Sequence, residues 1–394
     1  MNLLIGSHFF APYSKVGARR MTSFAIYLAQ RGHNVYVIKA NDREYGDNVV
    51  RNAGQLGGIK EIRPIGYYSG SLIKSSLNRA GYYKKEISAV MDSCHIDAVV
   101  MSSEPTEYLP LFRFIKRKDP SVICVMDIRD PLGLDDHYGG NALSFKRKLY
   151  ILNNVRNERK AAKFVDYISV VTEESQRYYQ RRYPSLGDRI LCIKNGFDDI
   201  NVNVDEIADS HSEPHRDAVY LGVFGQYYLY GAEYSECLVR LAKEYKDKAV
   251  IVRQFGVHDT ELEDMFRAQG LEDRYEFVRS EGYPIDIARL ASCDICVASH
   301  HTRSSCGTKI YDYMLVNRPI ISLNPYYDSE LSEQVRQFEN GYACTNYEEF
   351  RSAFYDIAGK GSTVLDRDRD KLLANGRKHQ FDLLTGKIES MLKK

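Results

Sequence analysis

Between Ser304 and Ile321 the chain reads SSCGTKIYDYMLVNRPII, which has the pattern of a loop, a helix start and a strand. Ahead of it DICVAS, Asp294 to Ser299, is short and apolar, as a buried strand is. Gly307 and Thr308 supply a flexible turn and a candidate N-cap, Ile310, Tyr311 and Met314 recur at helical spacing, and Asn317-Arg318-Pro319 ends the helix. A helix that begins at the carboxyl end of a parallel strand offers free N–H groups and the positive end of its dipole, a setting suited to a diphosphate. Lys309 adds a point charge for phosphate, and Asp312, about one turn on, a carboxylate for ribose hydroxyls. An ordinary strand, turn and helix with a solvated lysine and aspartate has the same local pattern.

The run Gly307-Thr308-Lys309-Ile310-Tyr311-Asp312-Tyr313, followed by Arg318-Pro319-Ile320-Ile321, resembles the donor-binding signature of glycosyltransferases of GT-B architecture, many of them bacterial surface-polysaccharide enzymes. Three further stretches carry the same resemblance. NLLIGS (Asn2 to Ser7) and RGHNVYVIKA (Arg31 to Ala40) read as strands around an amphipathic helix, with a loop at the carboxyl end of the first strand, where open α/β sheets bind ligands. That loop has Phe10, Pro12, Gly17 and Arg19 or Arg20 in the family's order. VICVMDIRDPLG (Val122 to Gly133) ends a strand in Asp127, Arg129 and Asp130, similar to the family's Asp-x-Arg-Asp string, and Glu104 and Glu107 precede it at the same sheet edge. SVVTEESQRYYQRRYP and the later Asn195-Gly196-Phe197-Asp198 match the strand, helix and turn that close the family's first domain.

The resemblance implies an α/β protein of GT-B type, with two Rossmann-like domains facing a cleft and a last helix crossing back to the first domain. The expected bounds are 1–200 for the first domain, 201–217 for a linker, 218–375 for the second domain and 376–394 for the crossing helix. It further implies donor contacts from Gly17, Gly225, Gln226, Arg253, Arg303, Gly307, Thr308, Lys309 and Asp312, and acceptor contacts from Arg19, Arg20 and Arg129. Lys309 is the expected stabiliser of the departing phosphate. Retention without a metal or other cofactor is the family's usual chemistry, and Asp130 or Glu104 is the base if the enzyme inverts. The chain departs from the family where an Arg/Lys pair usually grips the diphosphate, having Gly225-Gln226 and Tyr230-Gly231 there, and it has Ser304 in place of the first of two glutamates. His300 and His301 are candidate hydrogen-bond partners in that loop. These departures keep two rivals open, a sugar-nucleotide epimerase of the same fold and a catalytically idle binding partner. A nicotinamide dehydrogenase is disfavoured, because neither loop has a Gly-x-Gly-x-x-Gly fingerprint.

Composition fits this reading. At 394 residues the chain is long enough for two domains, each with its own core. Residues 1–196 carry 30 basic and 19 acidic side chains and the remainder 24 and 34, so the first half suits an anionic acceptor or surface. The positive charge is densest in SFKRKLYILNNVRNERKAAKF (Ser144 to Phe164), a basic amphipathic helix suited to an anionic membrane, or else to packing its apolar side on its own domain. No nucleic-acid module accompanies the charge, so nucleic acid is not an expected partner. No apolar run reaches the length of a membrane span, and the scattered single cysteines fit a reducing compartment, so a cytoplasmic protein is expected, with peripheral membrane contact through the basic helix. Cys293 and Cys296 have a metal-like spacing but sit in a strand with no second ligand pair.

Overall fold

The computed structural model describes residues 1–14, 16–49, 56–67, 72–131, 145–208, 217–227, 231–281, 285–360 and 368–393. They form two compact α/β units, residues 1–195 with 377–394, and residues 196–376. The expected linker, 201–217, is not where the units part. Val204–Ala208 is a helix of the second unit, where Asp205 pairs with Arg369 at 2.6 Å, while 209–216 lie outside the described residues.

The first unit is a seven-stranded, all-parallel sheet. Its strands are β1 (Asn2–Ser7), β2 (Asn34–Lys39), β3 (Glu61–Pro64), β4 (Ala98–Ser102), β5 (Ile123–Ile128), β6 (Tyr167–Val170) and β7 (Ile190–Cys192), in the order β3-β2-β1-β4-β5-β6-β7. Helices cover both faces of such a sheet, so its central strands are buried throughout, as β4 and β5 are, with Asp127 and Ser102 the polar residues among otherwise apolar side chains. The order reverses at β1 and β4, the switch point whose carboxyl edge receives ligands in open α/β sheets. The helix Glu173–Arg182 is capped by Thr172, whose Oγ1 accepts the Ser175 N–H at 3.2 Å. His33 ends the turn after the first helix: its N–H donates to the Leu28 carbonyl at 3.1 Å and Gly32 takes φ +81°, a structural cap.

The last helix, Arg377–Leu392, belongs to this first unit. Phe381 packs on Phe24, with ring centroids 5.0 Å apart, and Gln380 Oε1 accepts the Lys194 N–H at 2.7 Å.

The second unit is a six-stranded parallel sheet of β8 (Ala218–Phe224), β9 (Ala249–Gly256), β10 (Tyr275–Arg279), β11 (Ile295–Ser299), β12 (Ile320–Leu323) and β13 (Gly341–Cys344), in the order β10-β9-β8-β11-β12-β13. Side chains alternate between its two faces. Ile295 and Val297 enter one core with Leu221 and Val252, whereas Cys296 and Ala298 enter the other with Met314 and Leu331. Cys293 is buried in that second core, and burial pushes its thiol up to about 12. The helix in the opening motif runs Lys309–Leu315 and stops at Asn317, which takes φ +55°. Arg318, just before β12, is buried and donates to the Ala291 carbonyl at 3.0 and 2.7 Å, so it ties the start of β12 to the end of the helix Ile285–Leu290. Among the described residues no helix is long and apolar enough to cross a membrane.

Candidate functional site

In the second unit the turn after β8 and the helix Lys309–Leu315 meet. Lys309 Nζ donates to the Phe224 carbonyl, the last of β8, and a Cβ on Gly225 would lie 2.4 Å from that ammonium. Gly225 also takes φ +74°, which L side chains adopt at a cost, so glycine is required here for both space and conformation. Its N–H donates to the Phe255 carbonyl at 2.7 Å.

The turn is fixed from within by a residue the sequence reading missed. Gln254, buried in β9, aims its amide NH2 at the carbonyls of Gly225 (3.0 Å), Phe255 (2.8 Å) and Val257 (2.7 Å), and its Oε1 accepts from the Tyr275 hydroxyl at 3.2 Å. A buried amide with that many partners is a rigid support. The only sequence signal was a polar residue inside the apolar strand AVIVRQFG.

Gly307 takes φ +66° near the His300 ring, and its N–H donates to Ser305 Oγ at 3.3 Å. His300 and His301 stack at 5.3 Å, and His300 Nδ1 accepts the Thr302 N–H at 3.3 Å. Thr308 stands at the N-cap position but makes no side-chain capping bond, in contrast to the expectation. Its backbone is already helical (φ −85°, ψ −20°), whereas a capping hydroxyl accepts an N–H two or three residues further on from extended backbone. Gln226 is half-buried directly after Gly225, and Asp312 is half-buried on the helix, its carbonyl accepting the Val316 N–H. Tyr230 lies outside the described residues.

The two other arginines expected at the donor are engaged elsewhere. Arg253 is not at the end of β9 but inside it; as Gln254's neighbour it projects to the opposite face, where it pairs with Glu276 and Ser292, each at 2.9 Å, over the Tyr220 ring. Arg303 is half exposed, pairs with Asp328 at 3.1 Å and lies over the Tyr326 ring. Lys309 and Gly225 are brought together, with Gly307 two residues before Lys309 in the chain, whereas Gly17 lies in the first unit and these arginines pair with other residues.

In the first unit the structure separates the acceptor candidates into two groups. Arg129 Nη1 donates to the Gly17 carbonyl at 3.0 Å and Nη2 to Glu104 at 3.2 Å, which places Gly17, Arg129 and Glu104 together at the carboxyl edge of the sheet. Asp130 follows in the chain and is exposed. Burial pushes the Glu104 carboxyl above the usual range, the negative charge of Asp130 pushes it further, and Arg129 opposes both. Arg20, by contrast, is buried and bidentate to the buried Asp127, at 2.9 to 3.2 Å, with a third bond to the Lys194 carbonyl. Ser169 Oγ completes that pair at 2.7 Å. Of the two arginines only Arg19 is exposed, while Arg20 is buried with each of its three guanidinium nitrogens bonded inside the fold.

No protein-family model matches the chain, and no curated protein matches it. Solved structures do. The chain is similar to sucrose-phosphate synthase of Thermosynechococcus elongatus (TM-score 0.68, 14% identity, 100% of this chain and 99% of that one). It is similar to HepE of Anabaena in complex with UDP (TM-score 0.65, 15% identity, 99% of each chain). UDP-GlcNAc 2-epimerase of Neisseria meningitidis bound to UDP-GlcNAc is similar as well (TM-score 0.57, 12% identity, 100% of each chain). The fold is therefore that of the GT-B glycosyltransferases, two parallel-sheet α/β domains with the last helix on the first.

Proposed function

We propose that the protein is a glycosyltransferase that moves a sugar from a nucleoside diphosphate donor to a hydroxyl of a glycan or lipid-linked acceptor, in the cytoplasm, during assembly of a cell-surface polysaccharide. The observation that carries this reading is the Lys309 ammonium set against Gly225 at the carboxyl end of β8. A fixed cation there opposes the charge that grows on the departing diphosphate, and Gln254 keeps the turn from shifting as the charge develops. The GT-B fold, and the nucleotide ligands of HepE and the epimerase, support a nucleotide-sugar donor.

In this reading the second unit holds the donor through Gly225, Gln226, Gly307, Thr308, Lys309 and Asp312. The first holds the acceptor near Gly17, Arg19, Arg129 and Glu104. The departing phosphate takes the acceptor's proton and the anomeric configuration is retained, with protein groups in place of a metal ion. Glu104 or Asp130 is the base if the product is inverted. A carboxyl held above its usual range is suited to receiving a proton. The epimerase reading is kept because a whole-length neighbour has that activity.

Purified protein is incubated with UDP-, ADP- and GDP-sugars, with and without lipid-linked glycan. Thermal shift with the free nucleotides is recorded in parallel. The expected result is a rise in Tm with one nucleotide and acceptor-dependent release of nucleoside diphosphate that withstands a chelator. Lys309→Ala should lose about 30- to 1000-fold in turnover, the loss of ~2–4 kcal/mol of transition-state stabilisation. Conversion of the sugar without an acceptor assigns an epimerase, and a Tm shift without turnover an idle binder. No shift with any nucleotide, or activity lost to chelator and restored by magnesium, overturns the metal-free transferase.

A further inference from the structure

The helix Phe145–Ala161 is turned the opposite way from an ordinary surface helix. Among the described residues, two of its three buried ones are polar, Asn154 and Glu158, with Ala161 the third. Asn154 accepts from Thr106 Oγ1 at 2.8 Å, and the fully buried Glu158 accepts from the hydroxyls of Tyr179 (2.8 Å) and Tyr183 (2.6 Å), with Arg182 3.4 Å away. Its outward face carries its largest apolar residues, while Ile151 and Val155 are half-buried. Phe145 is 76%, Leu149 51% and Leu152 62% exposed. These positions continue along one stripe, at steps of three or four, into Arg156, Arg159, Lys160 and Lys163, all exposed. Glu158 is the only acidic residue from Phe145 to Lys163, and it is the one turned inward, so every exposed charge on this stretch is positive. The side chains of Lys146 and Arg147 lie outside the described residues.

From this arrangement we infer that the outer face of the helix Phe145–Ala161 docks the protein on an anionic bilayer. Apolar groups at one end of a stripe and cations at the other fit a surface that has acyl chains below and phosphates at its level. A second copy of the same face would set cation against cation. A nucleic-acid backbone would leave Phe145, Leu149 and Leu152 without a partner. The buried bonds of Asn154 and Glu158 hold the helix in place before contact, so binding does not have to order it. The inference is independent of the activity proposed above.

The test is co-sedimentation of the full chain with vesicles of phosphatidylcholine alone and of an equimolar mixture with phosphatidylglycerol, at low and high salt. Circular dichroism shows that each variant is folded. The wild type should pellet with the mixed vesicles only, and release at high salt. One neutralised cation should weaken binding about fivefold and Arg156→Gln/Arg159→Gln/Lys160→Gln together on the order of 100-fold. Leu149→Ser/Leu152→Ser should release the protein at a lower salt concentration than the wild type. Failure of the wild type to pellet with the mixed vesicles overturns the inference. So does wild-type binding by the charge variant, or dimerisation through this face with no vesicle binding. Apolar variants that bind like the wild type refute insertion.

Discussion

Replacing Gly225 by alanine should disturb the candidate donor site through a contact whose energy can be measured separately. The new methyl group meets two costs. Holding an L residue near φ +74° costs about 1–2 kcal/mol. The Cβ would also lie 2.4 Å from Lys309 Nζ and 3.1 Å from its Cε, so the end of that side chain must swing away and give up the Phe224 carbonyl. A buried charged hydrogen bond contributes about 1.5–3 kcal/mol. Lys309 is only partly buried and water replaces part of the loss, so about 1 kcal/mol is expected. Gly225→Ala should therefore destabilise the second unit by about 2–3 kcal/mol. In a Lys309→Ala background the clash is absent and only the conformational cost remains, so the double variant should be about 1 kcal/mol better than additivity. Gly307→Ala is the control: φ is +66°, but the nearest heavy atom to its Cβ is 3.8 Å away, so it should show the conformational cost alone. Hydrogen exchange at β8 and β9 amides reads the second unit without assuming that both units unfold together. Additive behaviour of Gly225→Ala and Lys309→Ala, or equal costs at Gly225 and Gly307, would refute the contact.

Two further outcomes concern the first unit. Arg20→Met leaves the buried Asp127 carboxylate without its cation and should cost about 3–5 kcal/mol, much of it recovered by Arg20→Met/Asp127→Leu. A loss below ~1 kcal/mol in hydrogen exchange at β1 and β5 would mean that the pair behaves as a solvated one. His8 is buried, and burial first, then the Arg79 charge, lowers its pKa from 6.5 to about 3; Glu44, 3.5 Å away, already carries Arg79 at 3.3 Å. Since the unfolded chain takes up this proton first, stability contributed by neutral His8 is complete above pH 6.5 and is lost as pH falls toward 3. His8→Gln should flatten the fall in Tm across that interval, and an unchanged profile would show that His8 is not the group responsible.

What the sequence determined is what depends on near neighbours. The apolar run Ile295–Ser299, the glycine turn at Gly307, the helical spacing of Ile310, Tyr311 and Met314, and the stop at Asn317 all appear in the fold at those places, because a few residues suffice to set each. The charged residues behaved differently. Arg19 and Arg20 are adjacent and equally basic, yet only the structure shows that Arg20 closes on Asp127, 107 residues away, while Arg19 remains exposed. Arg253 looked available for a diphosphate until β10 supplied Glu276, and Gln254 acquired its role only when β8 lay beside it. The basic helix shows the same limit. Its stripe of leucines suited either an outer surface or an inward face, and the choice was made by Tyr179, Tyr183 and Arg182, which claim Glu158 so that Leu149 and Leu152 face out. Local pattern fixes an element. Which way a polar or charged group turns depends on whether a partner waits for it inside, because burial without one is costly, and that partner comes from distant chain.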